Sequence, residues 1–182
     1  MEGKKNPKDL THVNYETKKG VAWITLNDPK RLNPLSLERV NDIRDALIIG
    51  EDDDDAVILC LAAQGEHFSG GAEIKPYSWG TGLRFFHSHI NYHRKLWDQI
   101  WHSKKPIVAA IHGYTIGFCL ETVLRCDIII ATEDTQLGYL EIQFASNYGN
   151  QKMGRLSSEK IQKWYIFTGD LMPVEEAKHF GI

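Results

Sequence analysis

Glu121 and Glu141 stand out from the 24 acids of the chain because each lies in an apolar segment beside a turn. Partial burial lifts a carboxylate's pKa toward neutrality, and such a group can move a proton at working pH. One is enough to shift a double bond. Adding water across one is better served by two, one orienting the water and one near the carbon that receives the proton. The second ingredient is glycine. Gly70 and Gly71 follow one apolar run, and Gly113 and Gly117 follow another. Glycine just past a strand lets the backbone approach a ligand with its amide hydrogens exposed, although the same residues also make turns that bind nothing. Two amides from separate turns that meet at one oxygen stabilise an enolate or tetrahedral intermediate by several kcal/mol.

The elements that must hold these residues can be read from the apolar pattern. Val21 to Leu26, Val57 to Ala63, Ile107 to Ile111 and Asp127 to Ala131 read as strands. The last two are continuous apolar runs, which suits burial on both faces and puts Lys105 to Gly149 in the middle of an α/β domain rather than at its rim. Ser36 is a helix N-cap, with Leu37, Val40, Ile43 and Leu47 on one face of a helix ending near Gly50. Leu83, Phe86, Ile90, His93, Trp97, Ile100 and Trp101 keep helical spacing and read as core or pocket wall. A short helix carries Glu121. Ser158 to Phe167 is another helix, with Ile161, Trp164, Tyr165 and Ile166 on its apolar side, and Pro173 to Phe180 a further one closed by Gly181. Two units echo each other. Ala63-Gln64-Gly65 leads to Phe68, the glycine pair and Glu73; Ile111-His112-Gly113 leads to Tyr114, Gly117 and Glu121. As neighbours in a parallel sheet, both turns open at the edge where such sheets place ligands.

Composition removes several classes of function. The chain has 182 residues, 42% hydrophobic and 25% charged, with a formal net charge of -3, which fits one globular domain. It has no basic stripe for nucleic acid and no apolar run near the roughly 20 residues of a membrane span. Cys60, Cys119 and Cys126, an odd number in apolar segments, read as free thiols in a reducing compartment. Residues 1–19 read as a polar leader without the features of a secretory or transit peptide, so a cytoplasmic location is expected. The acid run Glu51 to Asp55 reads as a solvated loop rather than a cation site. His89 and His93 have zinc-ligand spacing but no third ligand, and read as a packed or surface pair. No serine elbow, phosphate-binding loop or dinucleotide fingerprint occurs.

The segments GVAWITLNDPKRLNPLS, HFSGGAEIK, KPIVAAIHGYTIGFCLETVLRCDIIIATEDTQLGYLEI and FTGDLMPVEEAKHFGI, in that order, resemble the crotonase superfamily, the enoyl-CoA hydratase/isomerase family. The resemblance implies an α/β fold, a spiral of repeated β-β-α units over residues 20–182, with the family's C-terminal trimerisation region absent or truncated. It implies an acyl-CoA thioester substrate, no metal or other cofactor beyond that coenzyme A, and a homo-oligomer, trimer or hexamer. By position the oxyanion amides are those of Ala72 and Phe118, the catalytic pair Glu121 and Glu141, and the water-holding glycine Gly149. Lys30 or Arg31 falls near the CoA phosphates, and Gly70, Ala72 and Ile74 at CoA-contacting backbone positions. Phe118 stands where the family usually has glycine, Leu140 where it has proline, and NQKMGR where it has a glycine-rich segment. The activity implied is syn addition of water to a 2-enoyl-CoA. Isomerisation of an enoyl-CoA, carbon–carbon bond hydrolysis with a base from the His-rich segment, and an inactive acyl-CoA-binding relative are the alternatives.

Overall fold

The computed structural model describes residues 6–73, 83–144 and 152–182, the side chains of 83–89 excepted. In chain order these form β1 (Val13–Lys18), β2 (Val21–Leu26), α1 (Leu37–Glu51), β3 (Ile58–Ala63), α2 (Leu83–Trp101), β4 (Ile107–Ile111), β5 (Tyr114–Ile116), α3 (Phe118–Val123), β6 (Ile128–Ala131), β7 (Gln136–Gly138), α4 (Lys152–Leu156), α5 (Glu159–Thr168), β8 (Leu171–Pro173) and α6 (Val174–His179).

The strands build two layers. The larger sheet runs β1-β2-β3-β4-β6, parallel except for the β1–β2 pair, and the smaller runs β5-β7-β8. Single-residue bridges, Leu35 to Ala72 and Ser69 to Thr115, extend the smaller layer backwards. Each pass of the chain therefore adds to both layers in the same order: β2 then Leu35, β3 then 69–72, β4 then β5, β6 then β7. This is the spiral of β-β-α turns expected from the sequence.

Its core follows from the two periodicities. Ala22, Ile24 and Leu26 alternate along β2 and are buried on one face, joined by Leu59, Leu61, Ile107, Ala109 and Ile111. Val40, Ile43 and Leu47 of α1 and Leu96, Trp97 and Ile100 of α2, spaced three or four apart, close over them in one cluster. Ser36 caps α1 by accepting the Arg39 N–H at 3.1 Å.

Three expectations change. Residues 13–18, expected in a polar leader, form β1, because the alternation of Val13, Tyr15 and Thr17 lets this segment pair with β2 in full register. The strand expected over Asp127 to Ala131 forms, but as the edge of the large sheet, with Ile128 and Ile130 55% and 61% exposed. A run of four apolar residues looks alike whether one face or both are covered. In α5, Tyr165 and Ile166 are buried as expected, whereas Trp164 points outward. Consecutive residues 164 to 166 span more of the helix circumference than one packed face accommodates.

Candidate active site

The site begins at the exit of β2. A short 3-10 turn at Pro29–Arg31 leads to Leu32 and Asn33, both left-handed with φ of 61° and 46°. That backbone turns the buried Asn33 side chain onto the loop after β3, where its Nδ2 donates to the carbonyls of Gln64, His67 and Phe68 at 2.9, 3.2 and 3.1 Å. Its Oδ1 accepts the Asp28 N–H at 2.9 Å. Ser69 Oγ donates to the Asn33 carbonyl and accepts the Gly71 N–H, at 2.8 and 3.1 Å. Asn33 thus shapes the glycine loop from outside it.

Within that loop the Leu35 N–H donates to the Gly71 carbonyl at 2.8 Å and the Glu73 N–H to the Leu35 carbonyl at 3.2 Å. In such a bridge the intervening residue, Ala72, directs its own N–H to the opposite side. No hydrogen bond among the described residues uses it. The second turn lies against the first. Gly71, with φ of 95°, packs so closely that a Cβ there would stand 2.9 Å from the Ile116 carbonyl oxygen and 3.7 Å from the Gly117 Cα. Gly117 donates its N–H to Gly138 and its carbonyl accepts from Glu121, at 2.9 and 3.0 Å, so Phe118 opens α3. The first N–H of a helix is not used by the helix's own ladder. The two glycine turns, separate in sequence, therefore meet with Ala72 and Phe118 each one residue beyond the contact.

Glu141 reaches this junction, and the Glu121 carboxylate lies close enough to act on it electrostatically. β7 delivers Glu141 into a 3-10 turn (Glu141–Phe144), and its Oε1 lies 2.9 Å from where a Cβ on Gly117 would be. Its Oε2 is buried with no hydrogen-bond partner among the described residues. Burial, aided by the nearby Glu121 charge, raises its pKa above the ordinary carboxylate value. Glu121 is fully buried on α3. Its Oε1 accepts from the Tyr139 hydroxyl at 2.6 Å and the Lys152 N–H at 3.3 Å, and its Oε2 from Arg125 Nη1 at 2.5 Å. Burial and the Glu121 charge push the Tyr139 phenol well above its usual pKa, so it remains a donor.

Phe118, unusual at its position, sends its ring inward. It stacks on His93 with centroids 4.1 Å apart and 3° between planes, and lies 5.9 Å from Trp97. Trp97 Nε1 donates to Thr122 Oγ1 at 3.0 Å, fastening α2 to α3. His93 is therefore a packing residue of this slab. Of the expected CoA contacts, Lys30 is exposed beside the site, Arg31 pairs with Glu73 and Asp28, and the Gly70 N–H donates to the Leu32 carbonyl at 2.8 Å. Ile74 and Gly149 lie outside the described residues. The acids after α1 are partly engaged, with Asp53 accepting from Tyr15 and Thr17. Among the described residues no three His, Cys, Asp or Glu side chains gather as a metal site, the cysteines are free thiols, and no helix is long and apolar enough to cross a membrane.

The sequence reading missed Asn33, Ser69, Tyr139 and Arg125. Arg125 carried a signal, four residues after Glu121 on one helix, a spacing that brings side chains together. Tyr139 and Asn33 carried none, since their partners are remote in sequence.

Residues 16–182 match the family model for enoyl-CoA hydratase/isomerase. The chain belongs to the enoyl-CoA hydratase/isomerase family. Curated relatives include the mitochondrial enoyl-CoA hydratase of Pongo abelii, 32% identical over 89% of this chain and 56% of that protein. They also include the (E)-benzylidenesuccinyl-CoA hydratase of Thauera aromatica, 30% identical over 93% of this chain and 67% of that protein. The chain thus spans about half to two thirds of the length of these family members. A solved enoyl-CoA hydratase/isomerase from Xanthobacter autotrophicus Py2 superposes with a TM-score of 0.87 at 30% identity, over 94% of this chain and 65% of that one.

Proposed function

We propose that this chain carries the active site of an enoyl-CoA hydratase, adding water across the double bond of a 2-enoyl-CoA. The observation that carries it is the contact of the Gly71 and Gly117 turns beneath the Glu141 carboxylate. In this reading the amides of Ala72 and Phe118 hold the thioester oxygen, and charge that builds on it in the enolate is met by fixed dipoles. Glu121 orients a water and takes its proton as the oxygen bonds to the β carbon. Glu141, kept protonated by burial, gives its proton to the α carbon as the enolate collapses. The proton taken up by Glu121 returns through solvent to Glu141 between turnovers. Coenzyme A serves as the handle of the substrate, with Lys30 near its phosphates, and the reaction calls for no metal or redox cofactor. The exposed Ile128, Ile130 and Trp164 support a homo-oligomer, for which the family resemblance implies a trimer or hexamer.

Loss of crotonyl-CoA absorbance in wild type, Glu121→Gln and Glu141→Gln tests this. Each variant should be slowed at least a hundredfold, and equal rates in all three would remove the glutamates from the chemistry. A second reading has one observation in its favour. Arg125 pairs directly with Glu121, which suits an isomerase in which Glu141 alone shuttles the proton. Conversion of a 3-enoyl-CoA that survives Glu121→Gln but not Glu141→Gln would select it.

A further inference from the structure

Behind Glu121 lies an open cavity of ≈ 470 Å³, lined by Arg94, Trp97, Asp98, Trp101, Arg125, Lys152, Arg155 and Ile90. Its size is that of a ligand site. It shares a wall with the candidate active site, because Arg125 and Lys152, which contact the two oxygens of the Glu121 carboxylate, both line it. Its charge is one-sided. Four cationic side chains face one carboxylate, Asp98, and of the four only Arg125 has a carboxylate partner among the described residues, Glu121. Like charges gathered in a cleft repel each other and raise the local potential for an anion. Two indoles lie among them. The Arg125 guanidinium lies 4.0 Å over the Trp97 ring and Lys152 Nζ lies 5.6 Å from the Trp101 ring centroid. Trp101 is itself 71% exposed at the mouth, with Lys152 over its ring and the rest of the indole open to a ligand. A plain alkyl tail would gain nothing from the potential of Arg94, Lys152 and Arg155, which a terminal carboxylate would meet directly.

We infer that this cavity receives the far end of the acyl group and that the acyl group ends in a carboxylate: the preferred substrate is a dicarboxylic enoyl-CoA. The inference rests on the hydratase reading for the position of the thioester, and adds the charge of the tail. The exposed indole of Trp101 holds the hydrocarbon body, while Arg94, Arg155 and Lys152 meet the terminal carboxylate through charge-assisted hydrogen bonds.

The test is a length-matched pair, 2-hexenoyl-CoA and 5-carboxy-2-pentenoyl-CoA, compared by kcat/KM in wild type and in an Arg94→Ala/Arg155→Ala double variant. Wild type should favour the carboxylated substrate at least tenfold, and the double variant should bring that ratio close to one. Equal preference in wild type overturns the inference. So does a double variant that weakens both substrates alike, which would assign the arginines to the phosphates common to both. If neither substrate turns over, the hydratase reading fails, and the cavity is then judged alone by quenching of tryptophan fluorescence with the saturated pair, hexanoyl-CoA and adipoyl-CoA. Tighter binding of adipoyl-CoA upholds the carboxylate site, and equal binding overturns it.

Discussion

At the scale of single residues, the two glutamates sit in unlike surroundings, and that contrast would separate their roles in the proposed hydration. Glu121 is held by Tyr139, Arg125 and the Lys152 amide, while Glu141 Oε2 has no partner among the described residues. A carboxyl buried without donors keeps its proton to higher pH. Its folded-state pKa is raised above the unfolded value, so the folded protein binds the extra proton between the two. The stability associated with that proton is present below the ordinary glutamate pKa and is lost as pH rises through the raised one. Thermal melts of wild type and Glu141→Gln should therefore diverge in the variant's favour across that window as pH is increased. Hydration should fall on the alkaline side as Glu141 loses its proton. Removing the Tyr139 hydroxyl leaves a buried carboxylate short of a donor, at a cost of about 1.5–3 kcal/mol. Tyr139→Phe should accordingly lower both the melting temperature and kcat, with KM little changed.

At the scale of elements, the proposed hydration depends on two turns that must touch. Gly71 sits at φ of 95° with the Ile116 carbonyl where a side chain would go. An alanine there meets both backbone strain and a steric conflict, of order 1–3 kcal/mol together, and would push the turns apart. Gly71→Ala should lose far more activity than stability, read as kcat/KM against a urea midpoint. Asn33 is the complementary case. It touches no reacting atom, yet its amide serves three carbonyls of the glycine loop. Asn33→Ala would leave those carbonyls unsatisfied and cost about 1–3 kcal/mol, with the loop the first region to exchange its amide hydrogens.

At the scale of the molecule, the large sheet ends in two edge strands among the described residues, β1 and β6. Among the described residues β6 pairs with β4 on one side only, and its exposed Ile128 and Ile130 lie in register beside Val108 and Ala110 of β4. An apolar edge strand promotes association. Replacing both isoleucines with threonine keeps strand propensity while removing apolar area. It should lower the concentration-dependent mass seen by sedimentation and leave the far-UV spectrum unchanged.

The alternation in β2, the three-to-four spacing in α1 and α2, and the glycine after each central strand are local patterns, and the folded chain follows them. That reaches as far as the echo between Gly70-Gly71 and Gly117, because each glycine comes shortly after its own apolar run. What local pattern cannot carry is which segments meet. Gly71 against Ile116, Asn33 against the loop at 64–68, Tyr139 on Glu121, and the aromatic and cationic cavity built from α2, α3 and α4 all depend on how successive turns of the spiral stack. The same limit explains the exposed face of β6 and the outward Trp164, since an apolar side chain is buried only if another element arrives to cover it. The amino-acid order by itself determined the central strands, the longer helices and the identity of the acids. Tertiary packing alone decided their neighbours, because burial, hydrogen-bond partners and local charge are properties of contacts between segments far apart along the chain.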